Sequence, residues 1–249
     1  MPWTTTFTLP AKTLHYLLTM TAFAMAPKDI RYFLMGVLFV VEGAKLIAVA
    51  TDTHRLAYCE AEIDGLNQET KIEAIVPRKT VRELLRILPE DDTPVTVNVG
   101  DTQIGFNFAG IEFVSKLIEG KFPDYQRVMP TLDTNPQCVS INREELLLAL
   151  RRVQILTNER FHGIRWLFTK GSLTVQGSNA EQEEASQKLA VNWEWDDLDI
   201  GFNLLYMIEL LNNLKNSEVN FHFAATPKSV LVTMPESSSF RYLIMPMRI

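Results

Sequence analysis

The feature that most constrains this chain is an internal repeat of about 125 residues within its 249. Each half opens on a short apolar strand followed by an amphipathic helix. The first is Phe7-Thr8-Leu9-Pro10, then a helix from residue 11 to about 25. The second is Val139-Ser140-Ile141-Asn142, then a helix from 143 to about 157. Pro10 pre-sets a first helical turn, and Asn142 is a good N-cap. Leu14, Leu17, Leu18, Thr21 and Ala22 recur at helical spacing, as do Leu146, Leu150, Val153 and Gln154. A hairpin pattern follows in each half. Residues 36–40 and 45–50 flank Glu42-Gly43, and residues 163–168 and 172–175 flank Lys170-Gly171. A second helix is predicted over 77–86 and again over 203–211. Each half then closes on short alternating strands, 95–99, 104–108 and 112–117 against 219–223, 230–234 and 240–245.

The spacing predicts an α+β fold of two tandem domains, each with two helices packed on small antiparallel β-sheets. Thr, Asp, Asn and Pro accumulate over 130–136, so the expected domains are 1–132 and 133–249. A single mixed α+β domain with coincidental spacing is the alternative. At 47% hydrophobic and 22% charged residues the chain can bury a core, which excludes disorder. The apolar run at 33–41 is far short of the ~20 residues that span a bilayer. No charged-then-apolar leader opens the sequence, so no secretory signal and no membrane association are expected. Cys59 and Cys138 have no partner spacing, which excludes a disulfide scaffold and fits a reducing cytoplasm. The net charge of −6 is the opposite of a strongly adhesive nucleic-acid binder, so any DNA role must use a local basic surface.

Catalytic chemistry is missing from the pattern. There is no P-loop, no G-x-G-x-x-G and no G-x-S-x-G. His15, His54, His162 and His222 are dispersed and lack ligand spacing, so no metal is expected. Thr51-Asp52-Thr53-His54-Arg55 gathers acid, base and hydroxyl, but neighbours on a strand point to opposite faces. The acidic run 181–184 lacks an EF-hand pattern and reads as a solvated loop or strand.

Several segments together are specific: Asp29-Ile30-Arg31-Tyr32-Phe33-Leu34, Ala50-Thr51-Asp52-Thr53-His54-Arg55-Leu56, Val76-Pro77-Arg78-Lys79 and Ser115-Lys116-Leu117. Further along come Phe122-Pro123-Asp124-Tyr125, Ile155-Leu156-Thr157-Asn158-Glu159-Arg160-Phe161 and the terminal Met245-Pro246-Met247-Arg248-Ile249. In order and spacing, over almost the whole chain, they resemble the bacterial DNA polymerase III beta subunit family, the sliding clamps. Members have three similar domains. This sequence resembles the middle and last, as a natural short form or an engineered fragment would.

The resemblance implies a non-enzymatic processivity factor that needs no cofactor. Its domains would arrange head to tail around duplex DNA, with helices lining the hole, in the cytoplasm and associated with the nucleoid. Encirclement does not require affinity, and weak contacts from a basic lining suffice. Arg78, Lys79, Arg82 and Arg86 against Glu83 give the second helix a net +3. Arg143, Arg151 and Arg152 against Glu144 and Glu145 give the third +1. Lys12 adds one charge to the first, and Lys215 balances Glu209 around the last. The expected DNA-facing residues are Lys28, Arg31, Tyr32, Phe33, Arg78, Lys79, Arg82, Arg86, Arg151 and Arg152. Tyr32 and Phe33 offer stacking faces in a basic loop, or else anchor the hairpin that follows.

The resemblance also implies an apolar pocket between the two domains that docks short linear motifs. The motif carriers are replicative and translesion polymerases, the clamp loader and repair proteins. The matching positions are Leu34, Thr51, His54, Arg55, Leu56, Pro123, Arg127 and Val128 from the first half. From the second they are Asn203, Tyr206, Ser229, Met245, Pro246, Met247 and Arg248. The leucines, Val128 and the two methionines suit an adaptable floor, and the arginines a polar rim. Thr53 stands where the family commonly has glycine, Pro227 replaces a small aliphatic residue, and Leu243-Ile244 replaces a smaller pair. Three copies of a two-domain chain would supply the six domains of a full ring as a homo-oligomer. The alternative is a monomer that binds peptide motifs without encircling DNA.

Overall fold

The computed structural model describes residues 3–64, 66 and 69–249. They divide into two compact units, Met1–Val128 and Met129–Ile249.

In the first unit, strand β1 (Thr5–Pro10) leads into helix α1 (Ala11–Ala22). A 3₁₀ turn at Tyr32–Leu34 follows, then β2 (Gly36–Glu42), β3 (Lys45–Thr51), β4 (Arg55–Glu62) and β5 (Lys71–Pro77). Helix α2 (Arg78–Ile87), β6 (Pro94–Val99), β7 (Gln103–Phe108), β8 (Ile111–Lys116) and the short α3 (Tyr125–Val128) complete it. In the second unit, β9 (Gln137–Asn142) leads into α4 (Arg143–Gln154). Then come β10 (Gly163–Thr169), β11 (Ser172–Ser178), β12 (Glu184–Ala190) and β13 (Leu198–Asn203). Helix α5 (Leu204–Asn213), β14 (Glu218–Phe223), β15 (Val230–Met234) and β16 (Ser237–Ile244) end the chain.

The repeat read from the sequence is a repeat of topology. Among the described residues, the strand pairings within each unit are antiparallel. The first unit has the orders β1-β6-β7-β8 and β5-β2-β3-β4. The second has β9-β14-β15-β16 and β13-β10-β11-β12. Position for position these are the same two sheets. Each pair of helices packs together, α1 with α2 and α4 with α5, and α1 and α4 each lie on neighbouring strands.

The helices start in matching ways. Pro10 and Pro77 are extended N-caps at the ends of their strands, so Pro10 precedes the first helical residue instead of occupying it. Neither proline accepts a bond from the turn it caps. The first N–H groups go instead to loop carbonyls: Ala11 N to Thr93 O at 2.8 Å and Arg78 N to Met35 O at 2.9 Å. In the second unit Asn142 accepts from Glu145 N at 3.0 Å, and Asn203 from Leu205 N at 2.9 Å. Helices α1 and α4 stop about a turn before the pattern suggests. Ala24 and Met25, and likewise Leu156 and Thr157, bond three residues back, a tightening typical of helix ends. Gln154, expected on the buried face, is exposed, and Thr157 is buried.

Each unit has its own core. Leu14, Leu17, Phe39 and Phe106 fill the first. In the second, Trp166 meets Phe202 and Phe221 edge-on at 5.0 and 5.3 Å, and Trp193 stacks on Phe168 at 4.4 Å. Gly177 in β11 permits the close approach of α4. A Cβ there would sit 2.6 Å from Val153 Cγ1 and 2.8 Å from Thr157 Oγ1.

Candidate functional site

The basic residues of α2 lie on the side away from the core. Thr80, Val81 and Leu84 are buried, which leaves Lys79, Arg82 and Arg86 exposed at a spacing of three then four. They border an open cleft of about 540 Å³ with Met35, Pro77, Arg78, Glu83 and Ile118. Two of the four cations are partly committed. Arg78 donates to Ala26 O at 3.3 Å, and Arg86 donates to the Glu83 carboxylate, with its Nε at 3.2 Å. That bond holds the Glu83 pKa down and the Arg86 pKa up. Lys79 and Arg82 make no ion pair among the described residues.

The basic-aromatic loop is ordered by Asp29. Its carboxylate accepts Arg31 N at 2.8 Å, Arg31 Nε at 2.9 Å and Arg31 Nη2 at 2.8 Å. The guanidinium hydrogen bond holds the Asp29 pKa down to about 2. Tyr32 is 67% exposed, as a stacking face must be, and Lys28 is exposed beside it. Phe33 is half-buried with its ring against Gly120, whose added Cβ would meet Phe33 Cδ1 at 3.4 Å. In the second unit Arg151 and Arg152 are exposed in the last turn of α4, where cations suit the helix dipole. They donate to Asn212 Oδ1 and Gln187 Oε1, each at 3.1 Å.

Three other helix charges differ from the expected tally. Arg143 is half-buried and donates to Asn216 O and Leu211 O at 3.1 Å, so it secures the end of α5. Lys215 lies beyond α5 and does not balance Glu209 within it. Lys12 pairs with Asp92 at 2.7 Å.

The expected docking residues of the first unit fall into two groups. Leu34, Thr51, Arg55 and Leu56 are buried, while His54, Arg127 and Val128 are exposed and Pro123 is half-buried. The buried group builds a turn. Thr51 Oγ1 donates to Arg55 O at 2.6 Å and accepts Thr53 N at 3.1 Å. The Asp52 carboxylate accepts His54 N at 3.0 Å, Arg55 N at 3.1 Å and Arg55 Nε at 3.3 Å. The acid and hydroxyl gathered in this segment are therefore spent on a turn between β3 and β4, not spread along a strand. Likewise Asn179 organises the acidic run by accepting Glu181 N and Glu183 N at 3.0 Å. Among the described residues no cluster of His, Cys, Asp or Glu is placed to hold a metal ion.

In the second unit, Asn203 caps α5, Tyr206 is half-buried on its first turn, and Ser229 O accepts Asn135 Nδ2 at 2.9 Å. Beyond β16, Met245 and Arg248 are exposed, and Pro246 and Met247 half-buried. Pro246 ends regular pairing, but Met247 N still donates to Gly201 O at 2.9 Å. Gly201 and Gly163 form the floor beneath this terminal segment. A Cβ on Gly201 would fall 2.4 Å from Met247 O, and one on Gly163 would fall 3.7 Å from Met247 Sδ. Sequence reasoning missed both glycines, although a glycine inside a strand is itself a sign of close approach.

With this geometry in place, residues 8–124 match the central domain of the DNA polymerase III beta subunit, and residues 126–248 match its C-terminal domain. The beta sliding clamp of Pseudomonas aeruginosa is 38% identical over 248 residues, which cover 100% of this chain and 67% of that protein. The chain belongs to the DNA polymerase III beta subunit family. The beta sliding clamp of Haemophilus influenzae is 40% identical over 243 residues, 98% of this chain. The chain spans about 65% of the length of that relative. A crystal structure of the Pseudomonas aeruginosa clamp bound to griselimycin superposes with a TM-score of 0.95 at 37% identity, covering 100% of this chain and 67% of that one. These relatives are clamps, not enzymes, in keeping with a sequence that carries no catalytic constellation. No helix among the described residues is long and apolar enough to cross a membrane.

Proposed function

We propose that the chain is a short sliding clamp that encircles duplex DNA as a head-to-tail ring of three copies. In this reading it tethers polymerases and repair proteins at the DNA in the cytoplasm. The observation that carries the proposal is the match of its two units, in order, to two consecutive clamp domains. The exposed cations of α2, with Lys28, Arg31 and Tyr32, are the DNA-facing surface, and Arg151 and Arg152 supply the second unit's share. The contacts are with phosphates and carry no sequence preference. The test is retention on closed circular DNA after loading. The ring releases the DNA when it is linearised. Equal retention on circular and linear DNA overturns encirclement and leaves a monomeric docking module.

Docking of short linear motifs is the second half of the proposal. Exposed Val128 and Met245 and half-buried Met247 provide adaptable apolar contacts, with Arg127 and Arg248 at the rim. Griselimycin on the Pseudomonas aeruginosa clamp supports the idea that this family offers a ligand site. Met245→Ala should weaken binding of a labelled clamp-binding peptide about tenfold, the loss of one apolar contact that the peptide would cover. Unchanged affinity would remove Met245 from the site.

A further inference from the structure

Methionine is a soft, polarisable residue whose thioether takes up an oxygen atom when an oxidant reaches it. The fold sorts the methionines of this chain by that access. Met20, Met25, Met207 and Met234 are buried. Met35, Met129 and Met247 are half-buried. Met245 is 43% exposed, and it is the one exposed methionine among the described residues.

The backbone on both sides of Met245 is held. Ile244, the last residue of β16, is fully buried and pairs with Val230. Two residues past Met245, Met247 N donates to Gly201 O at 2.9 Å, where Gly201 has no Cβ to obstruct the approach. Pro246 between them has a fixed φ and no N–H to pair. The Met245 side chain is therefore presented to solvent from a secured segment, not from a frayed end. An oxygen atom on its sulfur changes the surface and leaves the packing beneath intact. The same atom on Met207 or Met234 would be a buried polar group in an apolar core, which the closed fold resists. Met247 is the intermediate case. Its sulfur lies 3.7 Å from where a Cβ on Gly163 would stand, so one side of it is shielded. The two thiols compete poorly for an oxidant. Cys59 is buried, and burial pushes the pKa of half-buried Cys138 up, away from the reactive thiolate.

We infer that Met245 is a reversible oxidation site whose sulfoxide releases docked motifs. The inference deepens the docking reading and rests on it. The oxidant is a two-electron oxygen donor of the hypochlorous acid class. In the net step the sulfur gains oxygen and gives up two electrons, the O–Cl bond breaks, and chloride and a proton leave. The return step takes a dithiol-dependent sulfoxide reductase: two thiols become one disulfide and the oxygen leaves as water. Reduced Met245 offers a motif an adaptable apolar contact. Oxidised Met245 puts a strongly polar S–O group at the same place. An apolar anchor that covered this group would strip its water without replacing the hydrogen bonds.

The test treats the full chain with rising amounts of hypochlorous acid, quenches with free methionine and maps the added oxygen by peptide mass. Oxygen should appear on Met245 before Met35, Met129 or Met247. At that stage binding of a labelled clamp-binding peptide should weaken about tenfold, while Tm moves by less than about 2 °C. Methionine sulfoxide reductases of both stereospecificities should restore the affinity, and dithiothreitol alone should not, which separates a sulfoxide from an oxidised thiol. Cys138→Ala should lose affinity on oxidation as wild type does. Met245→Leu, whatever its own starting affinity, should change less than about twofold on the same treatment. Oxygen that arrives first on another methionine overturns the inference. So does an oxidised Met245 that binds the peptide as tightly as the reduced form, or a loss that dithiothreitol reverses or Cys138→Ala abolishes. Each of these leaves the docking reading standing. A reduced wild type that does not bind the peptide overturns the docking reading and the switch with it.

Discussion

At the residue scale, Thr53 is the most informative position. The turn between β3 and β4 holds it at a φ of 77°, the left-handed region where a β-branched side chain is a true outlier. The bonds around Thr51 and Asp52 leave the backbone no alternative, because each already serves two or more partners. Holding a non-glycine residue there costs about 1–3 kcal/mol. Glycine removes that strain and gives back part of the gain as unfolded-chain entropy. Thr53→Gly should therefore stabilise the protein by about 1 kcal/mol, a rise of about 2–4 °C in Tm for a chain of this size. A scanning calorimetry trace in which the variant melts at or below wild type would contradict the strain. The resemblance, with its expected glycine, drew attention to Thr53. What it could not supply was the reason, because a positive φ is a property of the closed turn.

At the element scale, legibility followed periodicity and failed where the partner was backbone. The four long helices and both tight hairpins stood out because apolar spacing and Gly43 or Gly171 announced them, and both glycines do adopt positive φ, 57° and 73°. Strand β12 had no such signal. Glu184-Ala185-Ser186-Gln187-Lys188-Leu189-Ala190 buries no residue fully, and only its ladder to β11 makes it a strand. β4 was hidden for the opposite reason, since Arg55, Leu56, Ala57, Tyr58 and Cys59 are all buried and no alternation survives. The candidate site divides the same way. The stripe Lys79, Arg82 and Arg86 was legible because an amphipathic helix fixes its own outer face. The commitment of Arg55 to Asp52 and of Arg143 to the carbonyls near α5 was not, because it depends on how a turn closes and where another helix ends.

At the scale of the whole molecule, the net charge and the basic stripe pull in opposite directions. A chain at −6 repels DNA at long range, and the exposed cations of α2 act only within about a Debye length, near 8 Å at physiological salt. Binding through these contacts alone would be weak and would fall steeply with salt. A surface that neutralises 6–10 phosphates loses about 10³–10⁵ in affinity between 50 and 200 mM salt. A closed ring is held by topology and escapes this dependence. In the proposed ring, loss from circular DNA is set by opening of the joints between copies and not by phosphate contacts. The half-life of the loaded protein on closed circular DNA should therefore change by less than about tenfold between 50 and 200 mM salt. On linear DNA it should stay short at every salt concentration. Lys79→Glu with Arg82→Glu should leave the circular half-life within the same range, because in the proposed ring those cations face the DNA and take no part in closing it. A half-life that collapses with salt, or with that double variant, would identify affinity and not encirclement as the source of retention.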